Sequence, residues 1–584
     1  NSWLYQIIKM ISYNDVSQKF RKFHTNSFNC LLHLITTPLC ILAIFWLVEP
    51  YFSAFPIVFS LAWTAALLAF SVPLMFTVMS ALTLAALCVI APMYSQSLAT
   101  SIVAFIVGYV GQELAHWSTG EGTYQDSYTG TGDFASMFME HCLFLLPLIW
   151  DAAYNCEFPL VALNCELNNV LWTDITDDVQ MKDMIQIRHW TLEQGEAKKH
   201  TIHHWFENLP KPIYDAYDRL ANSPDLFASF RARFPESCYN VEILPGMNEI
   251  YQTAANHYSS DRVFYNKHVD GPWCFFPYCY VFRCLLALSP NRNIKTIFPY
   301  ARSEGLLATG KAVAFDFNRE IHYIEAVNPA LDESRIALKL HYVVYPKCLA
   351  PIGLLAGWLT TKYDQIARWW FLQTLNPDNV ATKSGTWMTL AVTEGVYRFH
   401  EIFGSNNVFY TFFALMVDMF YWPGSFIYLT SFVHYTHYIG TYYYRKNINY
   451  GCFKRTVVYF KALAVIQLVY IYLTNFEFSL VSLALIASGV GLASAAAAAI
   501  GVDRTYFGAE LGYYEPKWIT AFPYNTGIPH PMIVGAVMWL SGFGMQSVFR
   551  EQYPFLIPTH IACYLTHCLQ EQFDIHLKEK PKSN

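Results

Sequence analysis

Residues 54–115, AFPIVFSLAWTAALLAFSVPLMFTVMSALTLAALCVIAPMYSQSLATSIVAFIVGYVGQELA, are almost uninterruptedly apolar, broken only at Ser71-Val72-Pro73 and again near 91–96. A helix rises about 1.5 Å per residue, so roughly 18–20 apolar residues cross the hydrocarbon core of a bilayer. Three such spans fit here, one more fits at 29–48, and another apolar run follows from Phe138 to Tyr154. The N-terminal block, residues 1–155, is therefore expected to hold four or five membrane helices. The whole chain has the same character: 54% of its 584 residues are apolar and 14% are charged. This composition excludes a disordered chain, a coiled coil and an ordinary cytosolic enzyme. With 38 basic against 44 acidic residues, the net charge of -6 offers no basic field to nucleic acid. The 14 cysteines include no CxxC pair, the pattern of free thiols facing a reducing compartment or lipid. Lys9, Lys19, Arg21 and Lys22 precede the first apolar run and Lys578, Lys580 and Lys582 close the chain. Both ends are expected on the cytosolic side or its organellar equivalent.

From 156 to 346 charges return, Pro and Asn punctuate the chain, and no window of membrane-spanning length survives. This segment is expected to be a water-soluble insert. Asp174 to Phe234 reads as helical, and HTIHH within it (His200, His203, His204) reads as a solvated face. Further on, AVAFDFN (312–318) and RIALKLHYVVYP (335–346) alternate. Ile336, Leu338, Leu340 and Tyr342 share one face, as in a half-buried strand. After Pro346 apolar blocks resume at 348–360, 407–432, 455–474, 476–502, 529–545 and 553–569, giving connecting membrane helices over 347–454 and a last membrane domain over 455–584. The expected fold is a multi-pass α-helical membrane protein with an inserted soluble α+β domain.

The most specific chemistry lies in the insert. In NKHVDGPW (266–273), His268 and Asp270 stand two apart and on a strand would point to one face. His322 follows in REIHYIE, and Arg335 opens the last strand. Two histidines and one carboxylate form a facial triad that leaves iron positions open, and a guanidinium holds a carboxylate with two parallel hydrogen bonds. The ordered set resembles the Fe(II)/2-oxoglutarate oxygenases, in particular the aspartyl/asparaginyl β-hydroxylase-like branch. The resemblance covers roughly 236–346 and implies a double-stranded β-helix, or jelly roll. It also implies His268, Asp270 and His322 as iron ligands, Arg335 as the 2-oxoglutarate anchor, and O2 as co-substrate.

In the first block, KFHTNSFNCLLHLITTPL places His24 before the first span and His33 inside it. GQELAHWSTGEG ends another span with Glu113 and His116, and Glu140 and His141 open the next. Ionisable groups at membrane depth are a site hypothesis by default. The H-x8-H pattern followed by Thr-Thr-Pro and a later His before a Glu-Gly turn resembles a family of membrane iron-dependent 2-hydroxy fatty acid dioxygenases. The resemblance covers about 12–155 and implies a second iron held by His24, His33 and His116, with His141 beside them. Glu-Leu-Ala-His-Trp stands where that family more usually has Phe-x-Gly-His.

The last block carries FPYN (522–525) and HPMIVG (530–535), which resemble motifs of the phosphatidylethanolamine and phospholipid N-methyltransferases, and LQEQF (569–573) lies where that family has paired acids. The resemblance covers about 455–576. It implies S-adenosylmethionine as methyl donor, approached by Gly508, Gly535 and Gly542 and by Glu571, with Gln570 replacing the first acid. Between insert and last block, His434 and His437 lie one helical turn apart and read as polar groups satisfied between helices.

Together these resemblances imply a fused, membrane-embedded lipid-modifying enzyme. It would couple Fe(II)/2-oxoglutarate-dependent hydroxylation to acyl oxidation or N-methylation, with a bilayer lipid as substrate and no nucleic acid as partner. The endoplasmic reticulum membrane is the expected location, a mitochondrial inner or plastid membrane the alternative. The competing expectation, prompted by Gln570 and the altered His116 motif, is a non-catalytic scaffold subunit of a larger organellar membrane complex.

Overall fold

A computed structural model describes residues 13–93, 96–127, 134–155, 167–195, 197, 201–253, 266–271, 279–328, 334–375, 379–444, 448–515, 517 and 519–572. The described residues of 1–162 with those of 569–584 form one compact unit, and those of 163–568 form another.

The first unit is helical: α1 (Tyr13–Arg21), α2 (Ser27–Val48), α3 (Phe55–Ala69), α4 (Leu74–Met93), α5 (Leu98–Thr119) and α6 (Phe134–Asn155). Asn26 caps α2 by accepting from Phe28 N, and Ser97 caps α5 by accepting from Thr100 N. Gly120, at φ 70°, ends α5 in the left-handed conformation that glycine adopts without strain. Helices α2 and α5 approach closely because Gly108 and Gly111 face Thr36 and Cys40; a Cβ on Gly108 would lie 2.5 Å from Cys40 Sγ. Phe28–Val48, Leu74–Pro92 and Leu98–Thr119 are long and apolar enough to cross a membrane. The region 54–115 thus supplies two such helices rather than the three expected. The turn at Ser71-Val72-Pro73 leaves α3 at 15 residues, too short to span.

The second unit joins sheets to helices. Its strands are β1 (Leu171–Asp174), β2 (Ile202–Trp205), β3 (Tyr239–Ile243), β4 (Glu249–Gln252), β5 (Tyr280–Ala287), β6 (Ile294–Phe298), β7 (Ser303–Leu306), β8 (Lys311–Asp316), β9 (Tyr323–Ala326) and β10 (Ile336–Pro346). Among the helices are α7 (Asp178–Glu193), α8 (Lys211–Ala221) and α9 (Pro224–Arg233). The larger sheet runs β1-β8-β5-β10-β4-β2, with β3 also paired to β10, and the smaller runs β7-β6-β9; every described pairing is antiparallel. β10 is the spine: β5 pairs along one edge, and β4 and then β3 pair along the other.

Ile336, Leu338, Leu340, Tyr342 and Val344 pack beneath α7, α8 and α9 with Met184, Ala216 and Phe230. The opposite face of β10 is buried too, because it looks into the space where the smaller sheet and a later helix close over it. The strand is therefore fully buried rather than half-buried, and its polar residues lie inside. Between the sheets, Phe298 of β6 packs with Leu285, Val313 and Phe315.

The chain continues through α10 (Ala350–Leu375), α11 (Val380–Phe403), α12 (Ser405–Phe420), α13 (Val433–Tyr444), α14 (Tyr450–Thr474), α15 (Leu480–Ile500), α16 (Pro531–Gly544) and α17 (Leu556–Gln572). Of these, α14 and α15 are long and apolar enough to cross a membrane. The apolar run 348–360 instead opens α10, which carries Lys362, Asp364 and Arg368 and packs on the sheet through Ala356. The run 407–432 is divided between α12 and a short helix Phe426–Ser431.

Candidate metal centre

His268 lies in a loop, not on a regular strand as expected. It forms a single antiparallel bridge to His322, with His268 N donating to His322 O (3.1 Å) and His322 N to His268 O (3.0 Å). This bridge brings together two residues far apart in sequence. Gly271, next to Asp270, donates its N–H to Phe317 O at 3.0 Å. A Cβ on Gly271 would lie 2.4 Å from the Phe317 ring, so only glycine lets this loop sit against β8's end.

The two imidazoles are held alike. Nδ1 of His268 donates to Asn266 O (2.9 Å) and Nδ1 of His322 to Glu320 O (3.1 Å), which puts the proton on Nδ1 and the lone pair on Nε2 in both rings. His268 Nε2 is 3.8 Å from Asp270 Oδ1, and His322 Nε2 is 3.6 Å from Asp270 Oδ2. One ligand atom from each of the three lies within 4.8 Å of the others. All three side chains are buried, and Asp270 Oδ2 has no hydrogen-bond partner. Burial pushes His268 below its ordinary value; burial and then His268 push His322 down to about 3. Burial alone would raise Asp270, but Arg283 and the two imidazoles hold its carboxyl below the usual range. Neutral imidazoles beside an ionised carboxylate are the protonation states a metal needs. The orphaned oxygen and the converging nitrogens thus fit a divalent cation.

Several charged groups that sequence reasoning missed surround this triad. Arg283 on β5 reaches Asp270 Oδ1 at 2.7 Å and Asp364 of α10 at 3.6 Å, and its Nε donates to His341 Nε2 at 3.0 Å. Arg368 completes the chain to Asp364 at 2.6 Å. Lys339, on the inward face of β10, pairs with Glu249 at 2.6 Å, and Glu249 also accepts from His203 at 2.9 Å. His203 thus stands on strand β2 with its side chain buried and is not part of a solvated helical face; His204 follows it on the same strand, and His200 lies outside the described residues. In sequence these acids and bases look like surface charges; the odd-numbered register of β10 places Lys339 and His341 inside, and β5, β4 and α10 bring Arg283, Glu249 and Asp364 to them. Arg335 is buried at the start of β10, its Nη1 donating to Thr296 Oγ1 at 3.3 Å.

In the first unit His24, His33 and His116 meet, each buried, with ligand atoms within 4.8 Å. Their ring centroids are 4.7–4.9 Å apart. Nδ1 of His24 donates to Phe20 O and Nδ1 of His33 to Asn29 O, both at 3.0 Å. Glu121 accepts from Thr25 N, Asn26 N and Asn29 Nδ2, tying the start of α2 to the end of α5. His141 stands against Tyr124 (4.8 Å between rings) and is not one of the three.

Gly535 and Gly542 of α16 face α15: a Cβ on Gly535 would lie 2.6 Å from Gly489 O, and one on Gly542 2.7 Å from Ile486 Cγ1. Gly508 faces Asp503 O and the Tyr514 ring. The space these glycines open is filled by the protein itself, so their geometry is that of helix and loop packing. The Glu571 side chain lies outside the described residues. His434 and His437 are buried on α13 near Tyr435, which bonds His560 at 2.9 Å, and neither belongs to a group of three ligand-bearing residues among those described.

No protein family and no curated protein matches the chain, so the three motif resemblances have no family match behind them. Among solved structures, the non-heme alpha ketoglutarate dependent epimerase SnoN from nogalamycin biosynthesis is 14% identical, with 32% of this chain and 83% of that one covered and a TM-score of 0.23. HygX from Streptomyces hygroscopicus, solved with nickel and 2-oxoglutarate bound, is 10% identical, with 31% and 84% covered and a TM-score of 0.20.

Proposed function

We propose that the second unit is an Fe(II)/2-oxoglutarate-dependent oxygenase whose two sheets form a double-stranded β-helix and whose substrate is a membrane lipid. The observation that carries this reading is Asp270 Oδ2, buried and unbonded beside His322 Nε2. His268, Asp270 and His322 would hold the iron, and Arg335 with the Thr296 hydroxyl would hold the distal carboxylate of 2-oxoglutarate. When bound, the pair supplies the oxidising power to hydroxylate a C–H bond, with O2 consumed and the co-substrate released as succinate and carbon dioxide. The chain's own part is to keep the ligands in place. The two backbone carbonyls fix the imidazole tautomers, Arg283 fixes the carboxylate, and Phe298 and Phe315 pack against His322, 6.0 and 4.4 Å between ring centres.

A second metal centre at His24, His33 and His116 is favoured by their convergence in the first unit. Acyl-chain oxidation there is the activity its motif resemblance implies.

Metal analysis and a succinate-release assay with membrane lipid extract test both readings. Wild-type protein is expected to carry two irons and to release succinate when lipid is added. His268→Ala should lose one iron and all lipid-dependent succinate; His33→Ala should lose the other iron and keep succinate release. Undiminished turnover in His268→Ala would reject the assigned triad.

A further inference from the structure

A cavity of about 660 Å3 runs along α14, lined among others by Gly451, Arg455, Val458, Ala462, Leu463 and Ile466. These positions recur at helical spacing and form one stripe, roughly 22 Å long at the α-helical rise. The stripe has a direction. Lys454, Arg455 and Glu401 stand at one end; Ala462, Leu463 and Ile466 at the other are wholly apolar. Gly451 keeps the polar end tight against the sheet domain, since a Cβ there would lie 2.7 Å from the Tyr300 ring.

A second cavity, of about 700 Å3, is lined by Asn266 and Lys267 together with Trp387, Leu390, Arg398 and Glu401 of α11. Asn266 is the residue whose carbonyl fixes His268. Glu401 lines both cavities, so they adjoin at that side chain. The two cavities together present Lys267, Arg398, Lys454 and Arg455 against Glu394 and Glu401, and Asp503 takes up Lys454, which leaves a small cationic excess. Arg398 is taken up by Glu394 and Glu401, whereas Lys267 has no acidic partner among the described residues.

We propose that these two cavities form one binding site for an acyl-chain amphiphile with an anionic head. The chain lies along the α14 stripe and the head turns past Glu401 towards Lys267 and the triad. The direction of entry rests on the oxygenase reading above; the groove itself rests on the stripe and the shared Glu401.

The test uses the full chain in nanodiscs and photoreactive diazirine analogues of three amphiphiles: a fatty acid, a lysophosphatidic acid and a cationic sphingoid base. Both anionic probes are expected to label the α14 segment 451–466, and excess unlabelled fatty acid or lysophosphatidic acid is expected to protect it. Ala462→Trp, which fills the stripe, should cut that labelling at least fivefold. Leu473→Trp, exposed on the same helix outside the stripe, should not change it. Lys267→Glu should weaken labelling by the anionic probes and not by the cationic one. The relative strength of the fatty-acid and lysophosphatidate signals tells a carboxylate head from a phosphate head. Labelling that is unprotected, or equal in the two tryptophan variants, would mean only surrounding lipid and would overturn the site; preference for the cationic probe would overturn the anionic head. Protection in the wild type does not depend on how the variants fold. Iron content measured on the same samples separates the two claims: protected labelling without iron at the triad would sink the oxygenase reading and leave the groove standing.

Discussion

At the residue scale the centre depends on groups that touch no metal. Arg283 holds one oxygen of Asp270 and leaves the other free, so Arg283→Met should weaken divalent-metal affinity about 10–100-fold, with Arg283→Lys recovering part of it, as read by chelator competition. Glu249 gives a pH signature. Burial by itself raises its carboxyl, but Lys339 and His203 more than offset this and hold it below the ordinary 4.5. A carboxyl whose folded value is depressed contributes stability that is complete above its unfolded value and is lost as pH falls from there through the folded value. Acid unfolding should therefore begin below about pH 4.5, and Lys339→Met should move that limb to higher pH while costing about 3–5 kcal/mol at neutral pH, measured by denaturant unfolding. The triad itself was legible because histidine, aspartate and histidine are rare enough in order to stand out. Arg283, Asp364 and Lys339 were not: a buried charge and a surface charge are written with the same letter, and only pairing tells them apart.

At the scale of elements, alternation identified the inward and outward rows of β10 but not that both are covered, since period two says nothing about what lies above a sheet. The apolar start of α10 misled in a similar way: its apolar residues fit a membrane or a protein face equally, and Asp364 and Arg368 further along decide for the protein. The glycines of the last block were read for cofactor approach, whereas Gly535 and Gly542 lie where α15 and α16 approach each other. That contact is testable. Gly535→Leu should destabilise by about 1–3 kcal/mol through overpacking, while Gly491→Leu, with nothing within 4 Å of its Cβ position, should be neutral. Thermal unfolding in detergent compares them; equal midpoints would remove the packing role.

On the scale of the whole molecule, the five helices among the described residues that are long and apolar enough to span a bilayer should keep the protein in the membrane pellet through an alkaline carbonate wash. Release into the supernatant would show that they do not span. The apolar runs were legible as membrane-length segments, but their number was not, because a proline or glycine turn shortens a helix without altering its hydropathy. His400 of α11 bonds Arg319 O at 3.1 Å, and Asn449, which caps α14, bonds Glu320 Oε2 at 3.1 Å. These props grip the segment that ends at His322 from the helical side. A soluble fragment trimmed at Pro346 would therefore be the wrong piece to purify: it keeps every ligand and discards the scaffolding that holds one of them still. The smallest fragment that keeps both props extends to Thr474, the end of α14, and so includes a helix long and apolar enough to cross a membrane.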